Sequence, residues 1–294
     1  MDFLNKIKKL YSLSDEDNGY GYSEDTISEL EKSLKINLPK TLKDYYLKLG
    51  KNWQINEVDM FLSRLDGTYN AREMLTYPSI ETKARRWKQL APGSTGNSTV
   101  DKIIRRFTNN HINNAWDSGY YVFCKDFEGA FSWGIKLDDL KKDNPIVSAI
   151  CNYPGYADSR WNNWNKIFEL DKFLLEMACW NGSYGGLRYY AISDRQETPM
   201  DNKTIKIIED NWMEIDEISK NPLRESIRYF TNDFSDMLSF GSDQLYAGTS
   251  DPKIMSDILN MFDLKWRWHR LPPQELNEET NNTINNSTID INKI

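Results

Sequence analysis

Two short runs rich in aromatic and apolar residues, 119–124 and 130–135, most constrain how this chain can fold. Each run has the length and residue types of a β-strand, and a polar loop that contains Asp126 and Gly129 separates them. Two such runs joined by a short loop with glycine predict an antiparallel hairpin. Residues 146–150 follow a proline and predict a third strand. We therefore expect an antiparallel sheet.

Before the hairpin, the sequence predicts two helices joined at Leu38-Pro39. Ser23 is a typical N-cap residue, and two acidic residues follow it, where the helix dipole favours carboxylates. Proline suits the start of the second helix because its missing N–H costs nothing there, and Gly50 marks the end of that helix. Residues at helical spacing form the apolar stripes: Ile27, Leu30 and Leu34, then Leu42, Tyr45, Tyr46 and Leu49.

Further elements of both kinds are predicted elsewhere in the chain. We expect one or two short strands within 51–69, a helix over 161–180, strands over 226–230, 238–240 and 244–248, and a helix beginning at Asp251-Pro252. The predicted organisation is an N-terminal segment over 1–22, one α+β domain over 23–271 with insertions at about 70–118 and 187–225, and a disordered Asn- and Thr-rich tail over 272–294.

The composition indicates a folded, acidic protein. Aromatic residues make up 13% of the 294 residues, although the mean hydropathy is −0.70. Disordered chains lack aromatic residues, because such chains cannot bury enough apolar surface to offset ordering entropy. The formal net charge is −7. Nucleic-acid binding needs a basic face, so we expect no direct nucleic-acid contact and interpret the basic stretch 83–106 as a solvated face.

The cysteines and the N-terminal residues predict a cytoplasmic protein. Cys124, Cys151 and Cys179 form no CxxC pair, which is typical of reduced thiols. Residues 1–6 lack the apolar segment of a signal peptide, and no apolar run is long enough to span a bilayer. The cysteines and the two histidines are too dispersed for a metal-ligand cluster, so we expect neither a metal nor another cofactor.

No catalytic motif is recognisable in the sequence. A GxSxG elbow, a Walker sequence and a GxGxxG after a strand are all absent. Carboxylate pairs such as Asp126 and Glu128, together with 10 tryptophans, would suit glycoside hydrolysis, so a carbohydrate-active enzyme is one alternative. Since no such pair lies in a recognisable cleft motif, we expect a non-enzymatic protein.

The order of the elements resembles the SMI1/KNR4 (SUKH) superfamily over most of residues 23–268. The resemblance implies an α+β fold: an SMI1/KNR4-like single domain with a mixed, mainly antiparallel sheet flanked by helices. The residues that carry the resemblance are Leu38-Pro39 between two helices, Phe131-Ser132-Trp133 in the hairpin, Pro145-Ile146-Val147, Trp161, Phe173-Leu174, Tyr246-Ala247-Gly248 and 252–262.

The resemblance also implies a function. Most bacterial members of the superfamily resemble immunity proteins of polymorphic toxin systems, which bind and neutralise a toxin, often a nuclease, without catalytic residues. A regulatory or signalling scaffold of the same fold is the alternative, because a eukaryotic branch of the superfamily resembles such scaffolds. No membrane partner is expected, and the oligomeric state is left open.

Acidic side chains are the predicted contacts to a basic toxin, because complementary charge steers association. Aromatic side chains supply affinity at interfaces, and Tyr156 and Trp161 are the predicted anchors. The predicted acidic contacts are Asp15, Glu16, Asp17, Glu209, Asp210, Glu214, Asp216 and Glu217.

Overall fold

A computed structural model describes residues 2–14, 18–63, 65, 119–126, 130–152, 159–219, 221–223, 227–241 and 243–271. The predictions for 70–118 and for the 272–294 tail lie outside these residues. The helices of the described residues are α1 (Phe3–Leu10), α2 (Glu24–Leu34), α3 (Lys40–Leu49), α4 (Trp53–Asn56), α5 (Leu170–Asn181), α6 (Asn202–Asn211) and α7 (Pro252–Met261).

The strands of the described residues form two sheets. The first has the order β1-β2-β3-β4-β5 and the second the order β11-β6-β10-β9-β8-β7, and every described pairing is antiparallel. The strands are β1 (Met60–Leu62), β2 (Tyr120–Asp126), β3 (Phe131–Lys136), β4 (Ile146–Cys151), β5 (Asn165–Glu169), β6 (Tyr189–Ser193), β7 (Met213–Glu214), β8 (Arg228–Thr231), β9 (Asp236–Gly241), β10 (Gln244–Thr249) and β11 (Trp266–Arg270).

The chain divides into two compact units. The five-stranded unit comprises Asp15–Met177, and the six-stranded unit comprises Met1–Ser14 and Ala178–Ile294. The division falls inside α5. Helices and antiparallel sheets confirm the predicted α+β class, whereas the single predicted sheet is replaced by one sheet in each unit.

The predicted hairpin forms the centre of the five-stranded unit. Gly134 of β3 pairs with Val122 of β2, and the buried rings of Phe123 and Trp133 lie 5.5 and 5.9 Å from the ring of Phe173 on α5. Aromatic rings at these separations add edge and stacking attraction to the area they bury. The aromatic residues that predicted the hairpin therefore also build its core.

A side-chain clamp fixes the predicted joint between α2 and α3. Glu31 Oε1 accepts a hydrogen bond from the backbone N–H of Leu38 at 2.6 Å and pairs with Lys43 Nζ at 2.7 Å. The N-cap of α2 is Ser23, as predicted, and Pro39 is the residue directly before α3. One carboxylate from α2 thus holds both the turn and the following helix.

Two adjacent buried tyrosines anchor α3 to the rest of its unit. Tyr45 donates a hydrogen bond to Asn56 Oδ1 at 2.6 Å, and the hydroxyl of Tyr46 lies 2.7 Å from Ser63 Oγ. Burial raises the pKa of both hydroxyls well above the usual value. Because an unpaired buried hydroxyl is costly, these bonds specify where α4 and the segment after β1 lie against α3.

The N-terminal helix belongs to the six-stranded unit. Lys6 and Lys9 of α1 form ion pairs with Glu217 and Asp233, and Lys6 Nζ also lies 5.6 Å from the centre of the Phe234 ring. Asp2 caps the helix through its contact with the N–H of Asn5. The sequence did not predict α1, and these contacts place it beside the β8–β9 turn.

One segment prediction is wrong, and a second segment contains an element that the sequence did not predict. Residues 165–169 were expected to be helical, but they form β5, because hydrogen bonding to β4 outweighs their helix-like spacing. Within 51–69, the short helix α4, which Asn52 caps by accepting from the N–H of Gln54, was not predicted, and β1 is the predicted strand found among the described residues. Tertiary pairing and a cap thus override the local apolar pattern.

The region 187–225 contributes β6, α6 and β7 to the six-stranded unit. β6 pairs with both β10 and β11, so part of the region predicted as an insertion lies inside the sheet. The later predictions for β8, β9, β10 and α7 are confirmed within a few residues, and Asp251 caps α7 as expected.

Two glycines permit a close backbone approach next to α3. A methyl group at Gly21 would overlap the carbonyl oxygen of Leu47, and one at Gly50 would lie 2.7 Å from the ring of Tyr22. Gly50 ends α3 with a right-handed backbone, so its role is to leave space rather than to adopt a positive φ.

Substitution of Gly21 by alanine tests this close approach. The variant should lose about 1–3 kcal/mol of unfolding free energy, because the added methyl group forces the backbone apart. Gly19→Ala is the matched control, since a methyl group there meets no atom within 4 Å. Urea denaturation followed by circular dichroism measures both effects, and equal stability of the two variants would contradict the interpretation.

Candidate partner-binding site

The structure places five of the predicted acidic contacts in the six-stranded unit. Asp15, Glu16, Asp17 and the predicted anchor Tyr156 lie outside the described residues. The described contacts are on α6, on β7 and in the turn that follows it: Glu209, Asp210, Glu214, Asp216 and Glu217.

Arg228 on β8 draws two of these carboxylates together. Its Nη1 lies 2.7 Å from Glu209 Oε1, and its Nε and Nη2 donate to the two oxygens of Glu214 at 3.0 and 2.5 Å. The guanidinium also lies 4.8 Å from the centre of the Phe230 ring. The hydrogen bonds to Glu214 raise the pKa of Arg228 above its usual value. This arrangement joins α6, β7 and β8.

Two more predicted contacts also face cations of the same chain. Asp210 pairs with Lys206 at 3.1 Å, and Glu217 pairs with Lys6. Asp216 is exposed and forms no ion pair with a described residue. Exposed ion pairs contribute only about 0–1 kcal/mol, so a partner can exchange them at small cost. The acidic cluster is therefore partly neutralised but still accessible.

The predicted anchor Trp161 is not on the surface. Its side chain is only 4% exposed, and the guanidinium of Arg160 lies 5.6 Å from its ring centre. A partner would reach this ring only after a local rearrangement, so the burial argues against this part of the prediction.

A pocket of about 230 Å³ lies beside the acidic cluster in the six-stranded unit. We call it the Asp236 pocket. The C-terminal end of α6, the β8–β9 turn and one face of α7 line this open depression. Its polar lining residues are Asn211, Asn232, Asp236 and Asp257. Its apolar lining residues are Trp212, Ile254, Ile258 and Met261.

The carboxylate of Asp236 organises this pocket. Its Oδ2 accepts a hydrogen bond from Trp212 Nε1 at 2.8 Å, and its Oδ1 accepts one from the backbone N–H of Asn232 at 2.6 Å. The residue is only 2% exposed. Burial raises the pKa of Asp236, whereas these hydrogen bonds favour the charged form.

The six-stranded unit exposes two large apolar side chains, one of which lines the pocket. Met213 is 60% exposed and directly follows Trp212, and Met261 is 42% exposed at the pocket. Methionine is flexible and polarisable, which suits it to contact surfaces of varied shape. The five-stranded unit also exposes an apolar side chain, that of Trp53, at 55%.

A larger groove, of about 530 Å³, lies in the five-stranded unit between the α2–α3 joint and residues 140–143. Lysines and carboxylates both line it, and two pairs of them form ion pairs, Lys40 with Asp44 and Lys43 with Glu31. Because neither sign of charge dominates, this groove shows less preference for one class of partner than the Asp236 pocket.

A family model described as the SMI1 / KNR4 family (SUKH-1) matches residues 21–170, which is half of the chain. The protein therefore belongs to the SMI1/KNR4 family, as the order of its elements predicted. The match lies within the five-stranded unit and ends at Leu170, so it is shorter than the resemblance drawn over 23–268. Comparison with curated proteins and with solved structures gave no match.

Two further searches concern only the part of the chain that the structure describes. No helix there is long and apolar enough to cross a membrane, and no group of three His, Cys, Asp or Glu side chains is placed to hold a metal ion. The three cysteines are buried thiols.

The raised pKa of Asp236 makes its contribution to stability depend on pH. In the unfolded chain this carboxyl has a pKa of about 3.8. As the pH falls through the higher folded-state value, the native carboxyl binds a proton first, so its contribution to stability increases until the pH reaches the unfolded value. The unfolding free energy of the wild type minus that of Asp236→Asn should therefore increase as the pH is lowered through this interval. Urea titrations at several pH values measure it, and a constant difference would contradict a raised pKa.

Proposed function

We propose that this protein is a non-enzymatic immunity protein, which binds a toxin protein in the cytoplasm and neutralises it by covering the toxin's active site. Membership of the SMI1/KNR4 family is compatible with this role. The observation that carries the proposal is the exposure of two large apolar side chains, Met213 and Met261, in the same unit as the exposed carboxylates.

The surface of this unit has the features of a protein-binding site. Exposed apolar side chains with a polar rim are typical of such sites, and a few large side chains supply most of the binding energy. Met213 and Met261 are the exposed apolar groups, and Trp212 between α6 and β7 is half-buried beside them.

The charge around this surface favours a basic partner. Asp216 and Asp257 are exposed and form no ion pair with a described residue. Glu209 and Glu214 both contact Arg228 at the edge of this surface. Such a charge arrangement speeds the encounter with a positively charged toxin domain and disfavours acidic proteins.

Co-expression tests the proposed function directly. The full chain is co-expressed with the C-terminal domain of the protein encoded by the reading frame directly upstream. We expect the domain alone to stop growth, and the co-expressed chain to restore growth and to co-purify with the domain. Growth arrest that the chain does not relieve, with no co-purification, would contradict the proposal. Co-purification without rescue would favour a scaffold role instead.

Alanine variants locate the binding surface. Met213→Ala combined with Met261→Ala should weaken the complex at least tenfold, because truncation of an interface hot spot costs more than about 1 kcal/mol per residue. Trp53→Ala is the matched control, since it removes an equally exposed apolar side chain from the five-stranded unit. Calorimetry measures the affinity of each variant for the toxin domain. A complex weakened only by Trp53→Ala would place the toxin on the other unit.

A further inference from the structure

We propose that the Asp236 pocket receives one arginine side chain of the partner protein. This inference rests on the proposed function for the identity of the partner, and it specifies the contact that the partner makes. The pocket combines a buried carboxylate, a second carboxylate at its rim and an apolar wall, and these are the three features that a guanidinium on an aliphatic stem requires.

The charge of the pocket is not neutralised within the chain. None of the described residues that line it is a lysine or arginine, and neither Asp236 nor Asp257 forms an ion pair with a described residue. A buried carboxylate without a cation is costly, so a cation that enters the pocket gains from the low dielectric around it. The charge complementarity therefore points to a positively charged occupant.

Asp236 retains capacity to accept another hydrogen bond. A carboxylate has about four acceptor sites. Oδ1 receives the N–H of Asn232 and a longer contact from the hydroxyl of Thr231, whereas Oδ2 receives from the described part of the chain the indole N–H of Trp212. Among the described residues no second donor reaches Oδ2, and Asp236 lines the pocket. The three existing contacts hold the carboxylate in place beside the pocket.

The apolar wall and the size of the pocket favour one side chain. Ile254, Ile258 and Met261 of α7 supply aliphatic surface for the methylene stem of an arginine. The indole of Trp212 lines the pocket, and a planar guanidinium stacks on aromatic faces better than an ammonium does. At about 230 Å³ the pocket is smaller than the roughly 300–1,000 Å³ usual for small-molecule sites, which suits a single inserted side chain.

The test uses the full chain and a defined probe, N-acetyl-arginine amide. The Trp212 indole N–H is a local reporter because it donates to Asp236, and Trp212→Phe assigns its signal in a nitrogen-correlated NMR spectrum. We expect a saturable shift of this signal with millimolar affinity. The neutral citrulline analogue, which has the same shape, should cause no saturable shift.

Charge variants make the test specific for the pocket. Asp257→Asn should weaken probe binding about fivefold, the effect of one partly exposed charge pair. Asp263→Asn is the matched control, because Asp263 is exposed but does not line the pocket. The affinity of this variant for the probe should stay unchanged. Both positions are exposed, so neither variant should disturb folding.

Several outcomes would overturn the proposal: no saturable shift, equal binding of citrulline, tighter binding of N-acetyl-lysine amide, or equal effects of the two variants. The measurement needs no toxin. Arginine binding with failed growth rescue would therefore reject the immunity function and keep the pocket assignment, and rescue without arginine binding would do the opposite.

Discussion

The six-stranded unit depends on one buried carboxylate. Asp236 accepts the N–H groups of Trp212 and Asn232, and its own backbone carbonyl accepts the hydroxyl of Thr231. These bonds hold the β8–β9 turn, in which Asp233 and Phe234 adopt a positive φ that non-glycine residues rarely take. The same carboxylate supplies the charge of the pocket. Fold and candidate site therefore share one group, and a change at Asp236 affects both.

Acidic residues in this protein have two functions. Glu31 clamps the α2–α3 joint, and Glu209 and Glu214 hold Arg228, so these carboxylates stabilise local structure. Asp216 and Asp257 have no such intramolecular cation among the described residues. A cluster that looks uniform in the sequence thus separates into structural carboxylates and carboxylates available to a partner, and only the three-dimensional contacts distinguish them.

Local chemistry predicted much of the fold, because caps, prolines and aromatic strands act within a few residues. The hairpin, the helix after Ser23 and the helix after Asp251 follow from such signals. β5 does not follow from a local signal. Its residues have a helical spacing, and they form a strand because they hydrogen-bond to β4. Ile254, Ile258 and Met261 lie on the predicted helix after Asp251, but the pocket beside them needs Trp212 and Asp236 from distant parts of the chain. Such long-range contacts leave no local pattern in a single sequence.

The family match ends at Leu170, the residue at which α5 begins. Every residue from Phe173 to Trp180 in this helix is buried, and Phe173 packs against Phe123 and Trp133. A chain cut at the end of the match would leave those rings facing water. Residues 21–170, which the family model matches, are therefore not a module that can be exchanged or inherited alone. Recombination that transfers this family's half of the chain must also carry α5.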